Sequence, residues 1–312
     1  MQTMFSLTKR NIKMFFKDKA MFFSSLLVPL ILLVLYTTFL ANVYLDSFKS
    51  SIPEGFTADG KIINGLVASQ LFSSLLAVCC VTVAFCSNII MVQDKYLGVR
   101  KDLLVSPVKK SVLALSYYLA SLTVTLIINF TALAASLVYV AAAGWYMSFG
   151  DVMLIILDVF LFTMFGTALS SIINAFLKTQ GQISAVSTIV SACYGFICGA
   201  YMPISQFGGG LQKVLCFFPS TYSTSLIKNH AMRGVFEQMA KEGFPVEVAD
   251  GIKKSVDCSF DFFGTDVSVT AMLLVVVVTV LALVGAYVLI CAFKRDASGK
   301  TKSKPKRQPS VK

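Results

Sequence analysis

Long apolar stretches separated by short polar segments form the pattern of the chain. Six of them have the roughly 20 residues that a helix needs to cross about 30 Å of hydrocarbon. They cover Phe22–Val43, Ile62–Val92, Val112–Ala143, Val152–Leu177, Gln182–Met202 and Ser268–Phe293. The pattern therefore predicts an all-α polytopic membrane protein with six transmembrane helices, in a transmembrane domain of residues 22–293.

The segment before the first apolar stretch, residues 1–21, is basic and two-sided. On a helical wheel of residues 4–19 one side is apolar and the other carries the positive charges. The apolar side includes Phe15 and Phe16, and the basic side includes Lys9, Arg10 and Lys13. A plain positive stop before the first span would explain the charge but not the two sides. An amphipathic helix lying in the membrane interface, with its lysines toward anionic lipid headgroups, is the favoured interpretation.

A charged segment, residues 93–110, separates the second and third apolar stretches. Its core, residues 96–105, predicts two to three helical turns, which Pro107 ends because the residue before a proline avoids the helical conformation. The predicted apolar anchors are Leu97, Leu103 and Leu104, and the charged groups are Arg100, Lys101 and Asp102. So short a helix is marginal alone in water. The segment is therefore predicted to be a docking element, held by the membrane surface or by a partner.

Polar residues inside the apolar stretches are candidates for helix packing or for a substrate path. Gln70 lies in the second stretch, and the fifth has a stripe of small residues that includes Ser187, Ser191, Gly195 and Gly199. Asp158, in the fourth stretch, must face protein or water or be protonated. A proton relay needs further buried ionisable groups, and the sequence gives no sign of them. A structural or substrate-path role is therefore preferred for Asp158.

The segment of residues 203–267 begins apolar but is interrupted by Pro203, by three glycines and by Pro219, close to Tyr222. Because backbone in hydrocarbon must be hydrogen-bonded, the pattern predicts short re-entrant or interfacial helices, followed by a polar external segment. His230 is the single histidine, so no metal site is expected, and an exposed or capping position is favoured. Cys216 and Cys258 form a possible pair, which the sequence leaves open.

Composition and charge placement support this topology. Hydrophobic residues make up 56% and charged residues 14% of the chain, and the mean hydropathy is +0.76. With the N-terminus inside, the inner segments carry 19 Lys and Arg residues and the outer segments 8. This asymmetry places both termini and residues 93–110 in the cytoplasm. The net charge of +11 thus favours anionic lipid rather than nucleic acid. The basic tail, residues 294–312, is predicted to be disordered and drawn to the inner leaflet.

This order of segments resembles the ABC-2 type permease family, the membrane subunits of ATP-binding-cassette exporters, including those similar to multidrug and daunorubicin-resistance permeases. The stretch DKYLGVRKDLLVSPV is similar to the first cytosolic loop of the family, with an acidic residue, a glycine four residues later, Leu-Leu and a proline-containing end. The stretches GFICGAYMPISQF and FFPSTYSTSLIKN are similar to the outer re-entrant region. Many members carry glutamate where this chain has Gln93-Asp94, so any role of that acid falls to Asp94.

The resemblance implies a dimer, of two copies or of homologues, each docking a separate ATPase subunit that binds ATP and Mg²⁺. This chain would bind no cofactor and would not be an enzyme. Residues 93–110 would form the coupling helix seated in the ATPase, with residues 1–21 beside it. The expected coupling residues are Asp94, Gly98, Arg100, Lys101, Leu103, Leu104 and Pro107. The expected substrate is an amphipathic or lipid-linked compound moved outward, and the expected location is the bacterial cell membrane.

Two other function classes are weighed against this one. A secondary transporter or channel driven by an ion gradient usually buries several ionisable groups and shows internal repeats. The sequence indicates one buried carboxylate and no obvious repeat, which argues against that class. A membrane enzyme would need convergent His, Asp or Glu residues at membrane depth, and the sequence does not suggest such a set.

Overall fold

A computed structural model of the protein describes residues 2–50, 60–106, 108–259, 261–262 and 265–293, and 86% of these residues are helical. The helices are α1 (Gln2–Lys17), α2 (Lys19–Leu35), α3 (Ala41–Ser50), α4 (Gly60–Ser87), α5 (Ile89–Tyr96), α6 (Val99–Val105), α7 (Lys110–Ala143), α8 (Phe149–Phe176), α9 (Gln180–Ile197), α10 (Gly209–Leu215), α11 (Pro219–Lys241), α12 (Val246–Ser255) and α13 (Val269–Phe293). A π-helical turn, Tyr36–Leu40, joins α2 to α3, and a 3₁₀ turn, Ile204–Gln206, precedes α10. A two-residue antiparallel pair, β1 (Asp261–Phe262) and β2 (Thr265–Asp266), precedes α13.

Five continuous helical segments of the described chain are long and apolar enough to cross a membrane. They are Lys19–Lys49, Gly60–Tyr96, Lys110–Ala143, Phe149–Phe176 and Val269–Phe293. They correspond to five of the six predicted spans. The remaining one is α9, whose 18 residues extend about 27 Å and whose first turn is the polar Gln-Gly-Gln. The sixth span therefore stays a prediction.

Helix α4 is the centre of the bundle, and almost every side chain along it is buried. It packs against α2, α7, α8, α9 and α11. Helix α8 lies directly against it at Gly166, where a Cβ atom would overlap the backbone of Cys80. Because the glycine lets the two backbones meet, their separation is set by main-chain contact rather than by side chains.

Short polar side chains fasten α4 to its neighbours near the end of the helix. The hydroxyls of Ser87 and Thr125 lie 2.6 Å apart, which ties α4 to α7. Asn88, at the break between α4 and α5, donates to the hydroxyls of Ser170 and Ser171 of α8 at 3.1 and 2.7 Å. Buried polar groups of this kind stabilise a bundle only when they are paired, as these are. Here they hold the position at which the chain leaves the apolar bundle.

The bundle has two ends, defined by the segments they carry. The α6 end carries α1, α6 and the connection between α8 and α9, while the α12 end carries the connection between α7 and α8 together with α12. Helix α8 begins at the α12 end with a capping box, in which Ser148 and Asp151 bond each other's backbone N–H groups. These two ends carry the two groups of residues considered below.

The structure corrects the predicted boundaries of the charged segment. Residues 93–96 are the last turn of α5 and not the start of a separate helix. Gly98 has φ +81°, a conformation that favours glycine, and this residue separates α5 from a shorter α6 than predicted. Leu97 is 61% exposed and is therefore not an anchor. The thiols of Cys216 and Cys258 are both free, so the possible pair is not formed.

Candidate functional site

A buried carboxylate at the end of α5 connects three helices at the α6 end. Two nitrogens of Arg10, from α1, donate to the two oxygens of Asp94 at 3.0 and 3.3 Å, and the hydroxyl of Tyr117, from α7, donates at 2.6 Å. Burial alone would lower the pKa of Arg10, but hydrogen bonding and attraction to Asp94 raise it overall, which favours the charged guanidinium group. Asp94 thus faces helices of its own chain, and any part it has in coupling acts through them.

The neighbouring Lys95 connects the same turn of α5 to α8. Its ammonium group donates to the carbonyl oxygens of Asn174 and Ala175 at 2.7 and 3.0 Å. The last carbonyls of a helix lack partners within the helix and carry partial negative charge, so a lysine there is favourable. The turn that precedes α6 is therefore held to α1, α7 and α8 together.

Helix α6 and the turn before it expose apolar side chains. Leu103 and Leu104 are half-buried against the core of this chain, whereas Leu97 and Val105 are 61% and 87% exposed, and the role of the two leucines in coupling stays a prediction. Lys101 is exposed, Arg100 is half-buried, and Pro107 lies outside the described residues. We call the exposed side chains of Tyr96 and Leu97, which precede α6, and of Val105, its last residue, the α6 tip. Exposed apolar side chains at both ends of so short a helix mark an interaction surface rather than a core.

The structure confirms the predicted helix near the N-terminus, but part of its apolar side packs within the chain and does not face lipid. Phe15 is fully buried where α1 packs on α7, together with the polar Asn11, while Phe16 stays partly exposed. Lys9 and Lys13 are exposed, as a side directed to headgroups requires. One edge of the apolar side is therefore used for packing within the chain. The sequence pattern does not distinguish a lipid-facing from a protein-facing phenylalanine.

A cavity of about 320 Å³ lies at the α6 end between α2, α5 and α9. Its apolar wall includes Met21, Ile89 and Ile183, and its polar wall includes Asp18 and the side-chain amides of Gln93 and Gln180. The volume is at the lower limit of cavities that take small ligands, and an apolar wall with few polar groups is typical of them. The cavity can hold an amphipathic molecule.

A histidine–carboxylate contact and an ion pair join α11 to α8 at the α12 end. Nδ1 of His230 lies 2.5 Å from Oδ2 of Asp158, and Arg233, one turn further along α11, contacts Asp151 at 2.7 Å. Beyond them, a Cβ atom at Gly234 would overlap the carbonyl group of Tyr146. The interpretation of His230 as an exposed or capping residue is wrong, because the residue is buried. Asp158 is also not the only ionisable group in the bundle.

A further buried charge fastens the start of α11 to the segment that follows α12. Lys228 is completely buried, and its ammonium group donates to the carbonyl oxygens of Gly199 and Val256 at 3.0 and 2.9 Å. The carboxylate of Asp257 lies 3.9 Å away and also accepts from the backbone N–H groups of Ile204 and Ser205. The charges are thus paired and hydrogen-bonded, the condition under which burial is tolerated.

The other predicted path and packing residues are dispersed. The side-chain amide of Gln70 donates to the hydroxyl of Tyr44 at 3.3 Å, within the same chain. Gly195 faces the ring of Tyr201, and Gly199 ends α9 with φ +71°. Ser187 and Ser191 are half-buried on α9. Gln70 and the two glycines thus have close contacts within this chain, and the role of the two serines in packing stays a prediction.

The residues predicted to shape the re-entrant region lie at helix boundaries. Pro203 precedes the 3₁₀ turn, and Pro219 is the first residue of α11, where a missing N–H group costs nothing. Tyr222 is buried in the first turns of α11. The prolines therefore act as breaks between short elements, as the sequence indicates.

Comparison with protein families gives one match, to the model described as ABC-2 family transporter protein, over residues 52–288. The matched range is more than half of the 312 residues and includes α4 to α12 and most of α13. The pairs that join α11 to α8 and to the segment after α12 lie inside it, as does Asp94, whereas Arg10 and the rest of α1 lie outside it. Comparison with curated proteins gives no match.

Proposed function

The chain belongs to the ABC-2 transporter family, and from this premise we propose that it is the permease subunit of an ATP-binding-cassette exporter. In this proposal a separate ATPase subunit binds ATP and Mg²⁺ and performs the hydrolysis. Two such permeases, identical or homologous, form the path through the cell membrane. The chain itself binds no cofactor and catalyses no reaction.

The α6 tip is the observation that carries this proposal. Its side chains are apolar and exposed, and Asp94 and Lys95, in the last turn of α5, hold this part of the chain to three other helices. A force applied to the tip therefore acts on α1, α7 and α8 as well. Such an arrangement suits a helix that receives movement from a motor protein, and it has no evident use in a chain that works alone.

The proposed topology follows from charge and from the course of α11. Both termini and the α6 end are assigned to the cytosol by the excess of Lys and Arg on that side. Helix α9 is assigned as the sixth span. Because Arg233 lies beside the start of α8, the 14 residues back to Pro219 extend about 21 Å into the bundle. This course supports α10 and α11 as re-entrant helices on the outer side.

The proposed substrate is an amphipathic or lipid-linked compound that is moved outward. The cavity between α2, α5 and α9 supports this assignment, because it combines an apolar wall with one carboxylate and two amides at the cytosolic end. A molecule that partitions into the inner leaflet would reach it without crossing the polar headgroup region. Multidrug efflux is one activity of this class.

The test is the retention of an ATPase subunit by a variant of the α6 tip. Val105→Asp places a charge on the most exposed residue of the tip, and burying that charge against an apolar groove costs several kcal/mol. We expect wild-type protein isolated from native membranes to retain an ATPase subunit and the variant to lose at least about nine-tenths of it, since about 1.4 kcal/mol corresponds to a tenfold change. Quantitative mass spectrometry of the purified complexes measures the ratio.

Val246→Asp is the matched control. Val246 is 70% exposed on α12, at the opposite end of the bundle, so the same substitution should leave the ratio unchanged. Equal loss in both variants would indicate general misfolding and would oppose the docking role. Full retention by Val105→Asp would contradict the proposal directly.

A further inference from the structure

Of the ion pairs in the described chain, the contact between Asp158 of α8 and His230 of α11 is the one that contains a histidine. His230 and Asp158 are buried and lie 2.5 Å apart, and the second oxygen of Asp158, Oδ1, has no hydrogen-bond partner in the described structure. Histidine is the side chain whose charge ordinarily changes between pH 5 and pH 8. The charge balance of this contact therefore depends on a proton.

We propose that Asp158 and His230 are positioning residues that form a proton-sensitive latch, which holds α11 against α8 when His230 is protonated. In that state an imidazolium ion neutralises a buried carboxylate. When the proton leaves, one neutral N–H donor remains for a carboxylate whose other oxygen is already without a partner. A buried unneutralised charge is costly, so the contact weakens as the pH rises.

The other ionisable groups around α11 do not supply this dependence. Those brought to this region by α4, α8, the end of α9, α11, α12, the segment after α12 and the connection before α8 are Cys79, Cys80, Tyr146, Asp151, Tyr194, Cys198, Tyr222, Lys228, Arg233, Glu237, Asp250, Lys253, Asp257 and Cys258. The charged members are in ion pairs and ordinarily titrate well outside the range from pH 5 to pH 8. Burial raises the pKa of Cys258 to about 12. Helix α13, which also packs on α11, contains no Asp, Glu, Lys, Arg or His.

The latch lies in the contact between α8 and α11, so a movement of α11 away from α8 would separate the two helices at this point. Asp158 and Asp151 are two turns apart on α8, and the ion pair of Asp151 with Arg233 is the next contact toward the α12 end. That second pair joins a guanidinium group to a carboxylate, residue types that ordinarily keep their charges between pH 5 and pH 8, so it holds the two helices together across this range. The latch adds to the stability of this contact a contribution that depends on the protonation of His230. Its consequence for export rests on the proposed function, whereas the contact itself does not.

The experiment measures the distance between α8 and α11 in purified protein at two pH values, without ATPase, nucleotide or substrate. Nitroxide labels at Phe149→Cys and Glu242→Cys, in a Cys193→Ser background, mark the ends of the two helices, and pulsed electron resonance in lipid nanodiscs gives the distance distribution. We expect a longer-distance population that is several-fold larger at about pH 8 than at about pH 6. This experiment does not test the proposed function, which is tested separately by measuring whether the protein retains an ATPase subunit.

Two kinds of variant distinguish a titrating latch from a merely structural contact. Asp158→Asn and His230→Gln each remove the ion pair, and in both the distance distribution should be the same at the two pH values. Arg233→Gln removes the neighbouring ion pair but leaves the titrating one, so it should increase the long-distance population at both pH values and keep the pH dependence. An unchanged distribution in the wild type, or equal pH dependence in Asp158→Asn, would overturn the proposal.

Discussion

Replacing Asp94 with alanine is expected to lower the free energy of unfolding by about 3 kcal/mol. The substitution leaves the guanidinium group of Arg10 and the hydroxyl of Tyr117 without their shared acceptor. Removing one member of a buried ion pair costs about 3–5 kcal/mol, and the lower figure applies because the Arg10 side chain is 31% exposed. Helix α1 would lose its polar connection to the bundle, and the retention of the ATPase would fall with it.

The measurement is unfolding of the detergent-solubilised protein followed by the fluorescence of Trp145, the single tryptophan, which is remote from Asp94. Asp102→Ala is the matched control, since it removes an exposed carboxylate from the same segment and should change the stability by no more than about 0.5 kcal/mol. If Asp94→Ala is no more destabilising than Asp102→Ala, the carboxylate does not hold the three helices together.

Lys228→Met is expected to have an effect at least as large, about 3–5 kcal/mol. Methionine has a similar length, so the loss comes from the charge and the hydrogen bonds rather than from a cavity. The carbonyl oxygens of Gly199 and Val256 lose their donor, and the carboxylate of Asp257 loses its buried counter-ion. The start of α11 would detach from the segment after α12.

The same unfolding assay tests this expectation, with Lys254→Met, an exposed lysine of α12, as the control. A second substitution, Asp257→Asn, should restore part of the stability of Lys228→Met, because it removes the unneutralised charge. Asparagine also tolerates the backbone of Asp257, whose φ is +61°. Rescue by the double variant would support a charge effect, and further loss would show that packing around the lysine stem matters more.

Hydropathy predicts the helical bundle because a membrane span must be apolar over its whole length. Hydropathy averaged over the length of a span does not predict that α11 is buried. Its first half is rich in Ser and Thr and its second half is charged, so the sequence predicts a re-entrant or interfacial helix up to Lys228 and a polar external segment after it. In the structure both Lys228 and His230 are buried, in one helix that packs on α4, α8 and α13. A buried partner compensates each charge. That partner is far away in sequence, 72 residues in the case of His230 and Asp158.

The site at the α6 end was predictable to a similar degree. The charged segment, Gly98 and the Leu-Leu pair indicate where a short helix lies and which of its residues pack. They do not indicate that Asp94 faces inward, because Arg10 and Tyr117 reach it from separate helices. The order of acidic and basic residues within one helix does not predict contacts of this kind, because they depend on how three helices pack together.

The buried ion pairs also change the weight of the ion-driven alternative. The argument against a secondary transporter relied on a single buried ionisable residue, and the structure adds His230, Lys228 and Asp257 to Asp158. Family membership remains in favour of an ABC transporter, since proteins of this family work with an ATPase subunit. The retention of the ATPase by the wild type and not by Val105→Asp separates the two classes.

The central claim is that the α6 end lies in the cytosol and receives movement from a separate ATPase. The direct measurement is the labelling of Lys101→Cys, in a Cys193→Ser background, by a membrane-impermeant thiol reagent. Lys101 is exposed on α6, so the thiol is reactive wherever the reagent can reach it. We predict no labelling in intact cells and full labelling after the membrane is permeabilised. Labelling from outside intact cells would contradict both the orientation and the proposed function.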